Sequence, residues 1–437
     1  MRYDKGSWGN WITEGWTIDQ AVMSAEDKAI LRELAKQFRQ LCAQPQEEEK
    51  IRLWTAHNDL EDTRPLILVD MEHGWNEVFT FDRDMQCSGY MAQDWEMWLR
   101  KEIFYATKLR DDKPLTPVFY LPHRAVNTEW GINEEQIGNE DKRNAYAWEP
   151  IFRSKDEAFE AFDVDSIEDP YVEVDWEATN RYFEIGQDVF DGILSVEFRT
   201  WWFWSSSIVH AYAHYRGIDG MMIDFYDYPD RFHEMMQKFV NGYMGKLRWL
   251  EQNGLLYNNA GNCFVGSGGL GFTNQLHPNP QHVLLKDMWG LNEAQEATGI
   301  SGEIYGEFIF PYHKQVAEMF GFNCHACCEQ MEPLWEYVQK IPRLRRVSVS
   351  QWTNIEMMSE FLGRDYVYSY KACSSDTALP QMNEDVVRGR LQKMYHVTKD
   401  NHVEIVLKDL HTIGNNPQQI CRWVEIAREE MHKVYGS

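Results

Sequence analysis

Short apolar runs alternate with amphipathic helical patterns along most of the second half of this chain, and this alternation constrains the fold more than any other feature. From about residue 190 onward, each run rich in Val, Ile, Tyr or Phe is followed by a helical pattern. The runs are apolar throughout, which is typical of strands buried on both faces of a parallel sheet. The sequence therefore predicts an α/β fold, a TIM (β/α)8 barrel in first place and a doubly wound sheet in second.

The elements can be placed along the printed sequence from this pattern. Strands are expected at 64–71, from 114, at 192–198, 255–261, 322–326, 345–352, 366–372 and 403–410, and helices at 24–41, 230–254, 301–320, 332–341, 354–363, 383–399 and 417–434. Pro311 should kink its helix. The tract 43–50 has the composition of a polar turn, and the acidic stretch 133–180 that of a surface excursion. We expect an N-terminal helical extension over 1–50 and the barrel over 51–437.

Charge and cysteine content narrow the class of protein. The 437 residues are 43% hydrophobic and carry a formal net charge of −26, which disfavours nucleic acids and anionic membrane surfaces as partners. No apolar run reaches the length of about 18 residues that a membrane helix needs, and the first residues lack the apolar core of a signal peptide. We therefore expect a cytoplasmic protein whose eight cysteines are reduced.

Thiols and imidazoles follow several of the expected strands, at the end where barrel enzymes carry their reacting groups. His325, Cys327 and Cys328 follow one strand, Cys373 follows another, and His411 follows the last. Imidazole and thiolate together suit Zn²⁺, which lowers the pKa of a thiol and leaves a coordination position for a substrate. The alternative is a buried group of small cysteines with one hydrogen-bonded histidine.

Aromatic and polar side chains near other strand ends are candidates for substrate binding. Arg199 stands beside Trp201, Trp202 and Trp204, an arrangement that could hold a flat or methylated ligand with Arg199 meeting a carboxylate, or could pack as a lid. The further candidates are Asp287, Gln295, Glu296 and Trp352. The glycine-rich segment 262–274 lacks the spacing of a phosphate-binding loop, so we expect a mobile or closely packed loop over the site.

Several motifs resemble the uroporphyrinogen decarboxylase-like superfamily. They include "FVGSGGLGFT", "DMWGLNEAQEATGIS", "EFIFPYHKQVAEMFGFNCHACCE", "RRVSVSQW" and "VEIVLKDLHTIGNNPQQICRWVEIARE". The resemblance implies a TIM barrel. It also implies either a decarboxylase or a zinc-dependent methyltransferase that moves a methyl group between a corrinoid protein and an acceptor. His325 and Cys327 match the His-x-Cys zinc motif of those methyltransferases. Their later cysteine has no counterpart, which leaves His411 or Cys373 as the third ligand.

Three functions remain open from the sequence. The first is a zinc-dependent methyltransferase acting on a corrinoid or a methylated small molecule. The second is a metal-independent decarboxylase or lyase acting on a small carboxylic acid or tetrapyrrole, in which Arg199 binds the carboxylate and Asp287 or His411 donates the proton. The third is a non-catalytic protein that binds a corrinoid or an aromatic ligand. A corrinoid protein is an expected partner, and a homodimer is left open.

Overall fold

The secondary structure is taken from a computed structural model that describes residues 21–131, 136–138, 146–153 and 155–436. The helices are α1 Ala25–Cys42, α2 Pro45–Asn58, α3 Trp75–Val78, α4 Phe81–Asp84, α5 Tyr90–Phe104, α6 Asp156–Ala161, α7 Trp176–Phe190, α8 Ile208–Arg216, α9 Ile218–Asp227, α10 Pro229–Gln252, α11 Gly302–Phe308, α12 Phe310–Ala317, α13 Trp335–Val338, α14 Ile355–Leu362, α15 Glu384–Val397 and α16 Pro417–Tyr435. The strands are β1 Leu66–Val69, β2 Val118–Leu121, β3 Ala125–Asn127, β4 Gln136–Gly138, β5 Tyr146–Trp148, β6 Val172–Val174, β7 Ser195–Phe198, β8 Trp289–Asn292, β9 Phe322–His325, β10 Leu344–Val349, β11 Val367–Lys371 and β12 His402–Leu407. None of the helices among these residues is both long and apolar enough to span a bilayer.

Six parallel strands form the central sheet, in the order β1-β12-β11-β10-β9-β8. A separate parallel pair joins β2 to β7, and the remaining strands form two short antiparallel pairs. The predicted α/β class with a parallel sheet is confirmed. The six strands of the central sheet and the two of the parallel pair β2/β7 add up to eight, the number of strands in a (β/α)8 barrel. No ladder joins the two sheets within the described residues, so closure of the ring stays a prediction.

The free edge of β1 is capped by side chains instead of by a neighbouring strand. The Asp112 carboxylate accepts from the backbone N–H of Ile67 at 2.8 Å, and Asp111 accepts from the N–H of Val69 at 2.9 Å. Both carboxylates are buried, and buried backbone donors need an acceptor from some source. The aspartates therefore replace ladder hydrogen bonds at this edge.

The central sheet has two unlike faces, because successive side chains along a strand point in opposite directions. Val403, Ile405 and Leu407 of β12 belong to the large apolar core shared with the helices, on what we call the outer face. The opposite face carries Glu404 of β12 and Arg346 of β10, which form an ion pair. We call this second face the inner face, and it holds the polar chemistry of the sheet.

A glycine-rich segment, 262–271, lies against the inner face. A Cβ atom added to Gly266 would stand 2.8 Å from Sγ of Cys324, and one added to Gly269 would stand 2.5 Å from Oε1 of Glu404. Both glycines also have positive φ, +64° and +108°, where a side chain is strained. The closely packed alternative for this loop is therefore the one the structure adopts.

Two predicted elements are wrong and one local detail is confirmed. The tract 43–50 is no linker, because α2 begins at Pro45 in the first helical turn, where proline is tolerated. No strand forms at 255–261: the side chain of Asn259 donates to the carbonyl of Trp289 and accepts from its N–H, both at 2.9 Å, in place of a backbone ladder. The kink at Pro311 is confirmed, since α11 ends at Phe308 and α12 begins at Phe310.

Part of the predicted organisation remains untested. The proposed boundary at residue 50 falls inside α2, and residues 1–20 of the extension lie outside the described part of the chain. The same holds for positions 133–135, 139–145 and 154 of the acidic stretch 133–180. The division into an extension and a barrel domain therefore stays a prediction.

Candidate active site at the strand carboxyl ends

His325, the first residue of the predicted zinc motif, is packed in the helical layer. It is the last residue of β9, is fully buried, and lies on the outer face. Its Nε2 is 3.4 Å from the hydroxyl of Tyr305, and its ring centroid is 5.7 Å from that of His313. Burial lowers the pKa of His325 to about 3, so the ring is neutral at physiological pH.

Cys327 lies on the other side of the sheet because the chain turns between the two residues. Ala326 has a φ of 75°, a left-handed conformation that breaks the alternation of a strand. Cys327 is 5% exposed. The Ser267 hydroxyl donates to its Sγ at 3.3 Å, and the Lys408 ammonium donates to it at 3.8 Å. The His-x-Cys spacing therefore places its two side chains on opposite faces.

Five side chains meet where β1, β9 and β12 end, and we call them the strand-end cluster: Glu72, Ser267, Cys327, Cys328 and Lys408. The two sulfurs are 3.6 Å apart. Lys408 donates to Ser267 at 3.2 Å and has Oδ1 of Asp409 at the same distance. The cluster thus combines a thiol pair, a hydroxyl, a buried ammonium and a carboxyl group.

The charges of the cluster favour an ionised cation beside a polarised thiol pair. The hydrogen bond between the sulfurs raises the pKa of Cys327 and lowers that of Cys328, and Lys408 lowers both. Burial opposes ionisation of Lys408, but the Cys327 sulfur, Asp409 and Glu72 outweigh it and raise the pKa of this ammonium. Lys408 therefore remains positively charged over the whole physiological range.

Glu72 is the group in the cluster best suited to donate a proton. Its side chain is half-buried, and its Oε1 accepts from the backbone N–H of Asp409 at 3.2 Å. Burial and the nearby carboxylates of Asp70 and Asp409 raise the pKa of Glu72 to about 8. A carboxyl group with this pKa is mostly protonated at pH 7, and a general acid works best with a pKa near the operating pH.

Three of the eight non-glycine residues with positive φ in the described part of the chain lie at the same place. Glu72, Ala326 and Asp409 all have positive φ, at 42°, 75° and 59°, and they follow β1, β9 and β12 respectively. Such conformations in non-glycine residues cost about 1 to 3 kcal/mol each and cluster at functional sites. The strain marks these three strand ends independently of their side chains.

A buried ionic network supports the cluster from deeper on the inner face. Glu404 accepts a hydrogen bond from Nη2 of Arg346 at 3.0 Å and forms an ion pair with its Nε at 2.9 Å. It also accepts from the Ser369 hydroxyl at 2.5 Å and lies 3.3 Å from Nε2 of His57. Lys371 donates to Ser369 at 2.6 Å. Burial lowers the pKa of Lys371 to about 8, and the cations Lys408 and Arg346 contribute.

The described residues do not fit the predicted zinc site. They contain no group of three or more His, Cys, Asp or Glu side chains placed to hold a metal ion. Cys373 is buried with its sulfur 3.1 Å from the hydroxyl of Ser375, and the exposed His411 stacks on His73 at a centroid distance of 5.4 Å. The predicted ligands His325, Cys327, Cys328, Cys373 and His411 are thus divided between two faces and several separate contacts. We derive no chemical step through a metal.

The tryptophans beside Arg199 have different environments. Trp202 is 1% exposed and donates from Nε1 to the carbonyl of Leu255 at 2.8 Å, a contact of the core. Trp204 is partly buried against the core and lines a cavity together with Trp201. Arg199 places its guanidinium carbon 3.2 Å from the ring centroid of Tyr120.

The remaining predicted residues lie at different ends of their strands. Asp287 precedes β8, at the amino end of that strand and away from the strand-end cluster. Gln295 and Glu296 follow β8 at its carboxyl end, where Glu296 accepts from Nδ1 of His210 at 2.8 Å. Trp352 follows β10 and is 64% exposed.

The sequence reasoning did not select the residues that carry most of the charge of the site. Glu72 was missed although it follows β1 directly in "LVDMEH", where a polar residue after a buried strand is a usable signal. Lys371 is the last residue of an apolar run, so the sequence pattern indicates only a strand residue at this position. Lys408 follows the last expected apolar run directly in "IVLKDLH", where the same signal applies.

Known proteins give little further guidance. A comparison with solved structures finds a methyltransferase from Methanosarcina mazei with a TM-score of 0.37 and 10% sequence identity, over 59% of this chain and 64% of that one. This chain therefore spans less than two thirds of that protein. No family model and no curated protein matches the sequence. The function has to be argued from the site itself.

Proposed function

We propose that this protein is a methyltransferase that moves a methyl group from a methylated small molecule to an acceptor nucleophile at the strand-end cluster. One observation carries the proposal: the Lys408 ammonium meets the Cys327 thiol at 3.8 Å, beside Glu72, where three strands end in strained backbone. In parallel α/β folds this end of the strands is where substrates bind. The cluster offers the proton donor and the positive charge that methyl transfer needs.

The proton is needed at the atom that loses the methyl group. When the acceptor attacks the methyl carbon, the bond from that carbon to its oxygen, nitrogen or sulfur breaks, and the electron pair stays on the departing atom. Protonation of that atom by Glu72 lowers the barrier to departure, and positioned acids of this kind contribute about 10²- to 10⁴-fold to rates. The carboxylate left behind is stabilised by Lys408.

The thiol pair and Lys408 provide the rest of the environment. A buried ammonium stabilises negative charge that develops on the departing atom, because the site has a lower dielectric than water. The sulfur atoms of Cys327 and Cys328 are polarisable and can make favourable van der Waals contacts with a methyl group. We propose a reduced corrinoid, carried by a partner protein, as the acceptor.

A second function is favoured by one further observation. Lys371 and Lys408 are both buried and influence each other electrostatically on the inner face. Two buried ammonium groups attract a carboxylate, and Glu72 could protonate the carbanion left when carbon dioxide departs. A metal-independent decarboxylase acting on a small carboxylic acid is therefore the second candidate.

One assay separates the two functions. Purified protein is incubated with a panel of methylated oxygen, nitrogen and sulfur compounds plus reduced cobalamin, and with a panel of small carboxylic acids, while demethylated product and released carbon dioxide are measured. Lys408→Met and Glu72→Gln should each lower turnover by about 10²-fold or more. Lys399→Met is the matched control, because Lys399 is exposed just before β12, at the other end of that strand.

The outcomes are distinct. Demethylated product that depends on Lys408 and Glu72 supports the methyltransferase, and carbon dioxide release with the same dependence supports the decarboxylase. Turnover that both variants retain contradicts the assignment of the site. The reaction is repeated after exhaustive chelation, and activity lost on chelation and restored by zinc would contradict the metal-free chemistry.

A further inference from the structure

A second cavity lies apart from the strand-end cluster, between the pair β2/β7 and the first helices. It is lined by Trp98 of α5, Tyr120 of β2, and Arg199 and Trp201 after β7, and its volume is about 70 Å³. Asn262, at the start of the glycine-rich segment, closes one side and donates to the hydroxyl of Thr116 at 3.0 Å. The walls thus combine aromatic rings with about as many polar side chains.

One positively charged side chain that lines the cavity, Arg199, forms no ion pair with a described carboxylate. Lys113 is paired with Glu102 at 2.5 Å. The Arg199 guanidinium stacks on Tyr120 but forms no side-chain hydrogen bond or ion pair with any described residue, and Glu197, the nearest acidic residue along its strand, is exposed. A guanidinium has five N–H donors in a planar fork that matches a carboxylate.

Size and wall chemistry restrict the ligand. An engineered apolar cavity of about 150 Å³ accommodates benzene, so a cavity of this size suits a smaller molecule. The rings of Trp98 and Trp201 offer contact area for a short apolar tail, and a multiply charged oxyanion held beside them would carry a high desolvation cost. A carboxylate on a chain of two to four carbons satisfies both constraints.

We propose that this cavity is a binding site for a short-chain monocarboxylate, with its carboxylate held by Arg199 and its alkyl chain against Trp98 and Trp201. The stack on Tyr120 fixes the plane of the guanidinium, so the fork is oriented before the ligand arrives. The site is independent of the proposed methyl transfer, because it shares no residue with the strand-end cluster.

Direct binding to the full chain tests the proposal. Propionate, acetate, benzoate, propionamide and inorganic phosphate are titrated separately, with saturation-transfer NMR and tryptophan fluorescence as readouts, since two tryptophans line the cavity. Propionate should bind saturably and change the tryptophan emission. Propionamide and benzoate should bind at least about tenfold more weakly, through loss of charge and through size respectively.

Variants make the test specific to Arg199. Arg199→Met should weaken propionate binding by about tenfold or more, because it removes a charge-assisted pair of hydrogen bonds. Arg199→Lys, which keeps the charge and loses the fork, should fall between that variant and the wild type. The matched control Arg248→Met, on an exposed arginine of α10, should bind as the wild type does.

Three results would overturn the proposal. The first is that propionate does not bind saturably. The second is that Arg199→Met, shown to be folded by circular dichroism, binds propionate as tightly as the wild type. The third is that phosphate binds as tightly as propionate. None of these results depends on methyl transfer, so this site and the strand-end cluster can fail separately.

Discussion

Replacing Arg346 with methionine tests the buried network that supports the inner face. Arg346 is 1% exposed and Glu404 is fully buried, and the guanidinium donates to one carboxylate oxygen and forms an ion pair with the other. Arg346→Met keeps much of the side-chain volume but leaves Glu404 buried without its main cation. Removing one partner of such a pair costs about 3 to 5 kcal/mol of unfolding free energy.

The pKa of Glu404 indicates how much the ionised carboxylate contributes to the unfolding free energy. Burial opposes ionisation of Glu404, but Arg346 and His57 outweigh it and lower the pKa to about 2. An unperturbed glutamate has a pKa of about 4.3, and each pKa unit corresponds to about 1.4 kcal/mol, so the ionised group contributes about 3 kcal/mol. Because the folded-state pKa is the lower one, this contribution is complete above about pH 4.3 and is lost as the pH falls towards 2.

Urea unfolding at pH 7, followed by tryptophan fluorescence, measures the effect of Arg346→Met. Arg345→Met is the matched control, because Arg345 is the preceding residue on β10 and is only partly buried. The double variant Arg346→Met/Glu404→Leu should recover much of the lost free energy, since it removes both charges. A loss below about 1 kcal/mol in Arg346→Met, or a double variant less stable than the single one, would refute the reasoning.

Three further predictions address the inner face and the strand-end cluster. Gly269→Ala should lower the unfolding free energy by at least about 2 kcal/mol, because its Cβ would approach Glu404 and its φ is +108°, whereas Gly389→Ala, in open space on α15, should be neutral or slightly stabilising in the same urea assay. Turnover in the methyl-transfer assay should fall as the pH rises through about 8, because Glu72 loses its proton there. Glu72→Gln should abolish this decrease in the pH profile. A pH profile that the substitution leaves unchanged would show that Glu72 is not the proton donor. His325→Leu should have the turnover of the wild type and, by elemental analysis, the same zinc content, because His325 packs against Tyr305 in the helical layer. A variant with less bound zinc than the wild type would show that His325 is a zinc ligand.

The sequence predicts the α/β class because strands that are buried on both faces of a sheet appear in the sequence as continuous apolar runs. The sequence predicts the apolar strands β9 to β12, the helices between them and the kink at Pro311. The false strand at 255–261 has the same kind of apolar start as the true ones. What distinguishes it is the side-chain pairing of Asn259 with Trp289, a contact over thirty residues that no local pattern records.

The position of the candidate site could be predicted from the sequence, but the residues that form it could not. The sequence pattern locates the strand ends and places Cys327 and Cys328 at one of them. The face on which a side chain lies depended on one backbone angle, the positive φ of Ala326, and alanine carries no signal for that conformation. His325 was selected as a ligand for this reason, although it lies on the outer face, and Ser267 was not selected because its loop is placed by distant packing.

The glycine-rich segment also restricts the direction from which a substrate of the proposed reaction would approach. Its buried residues lie on the inner face beside Glu404 and Cys324 and extend to Cys327 through Ser267. Among the described residues this packing fills the inner face below the strand-end cluster, so a substrate of that reaction would reach the cluster from the carboxyl ends of the strands.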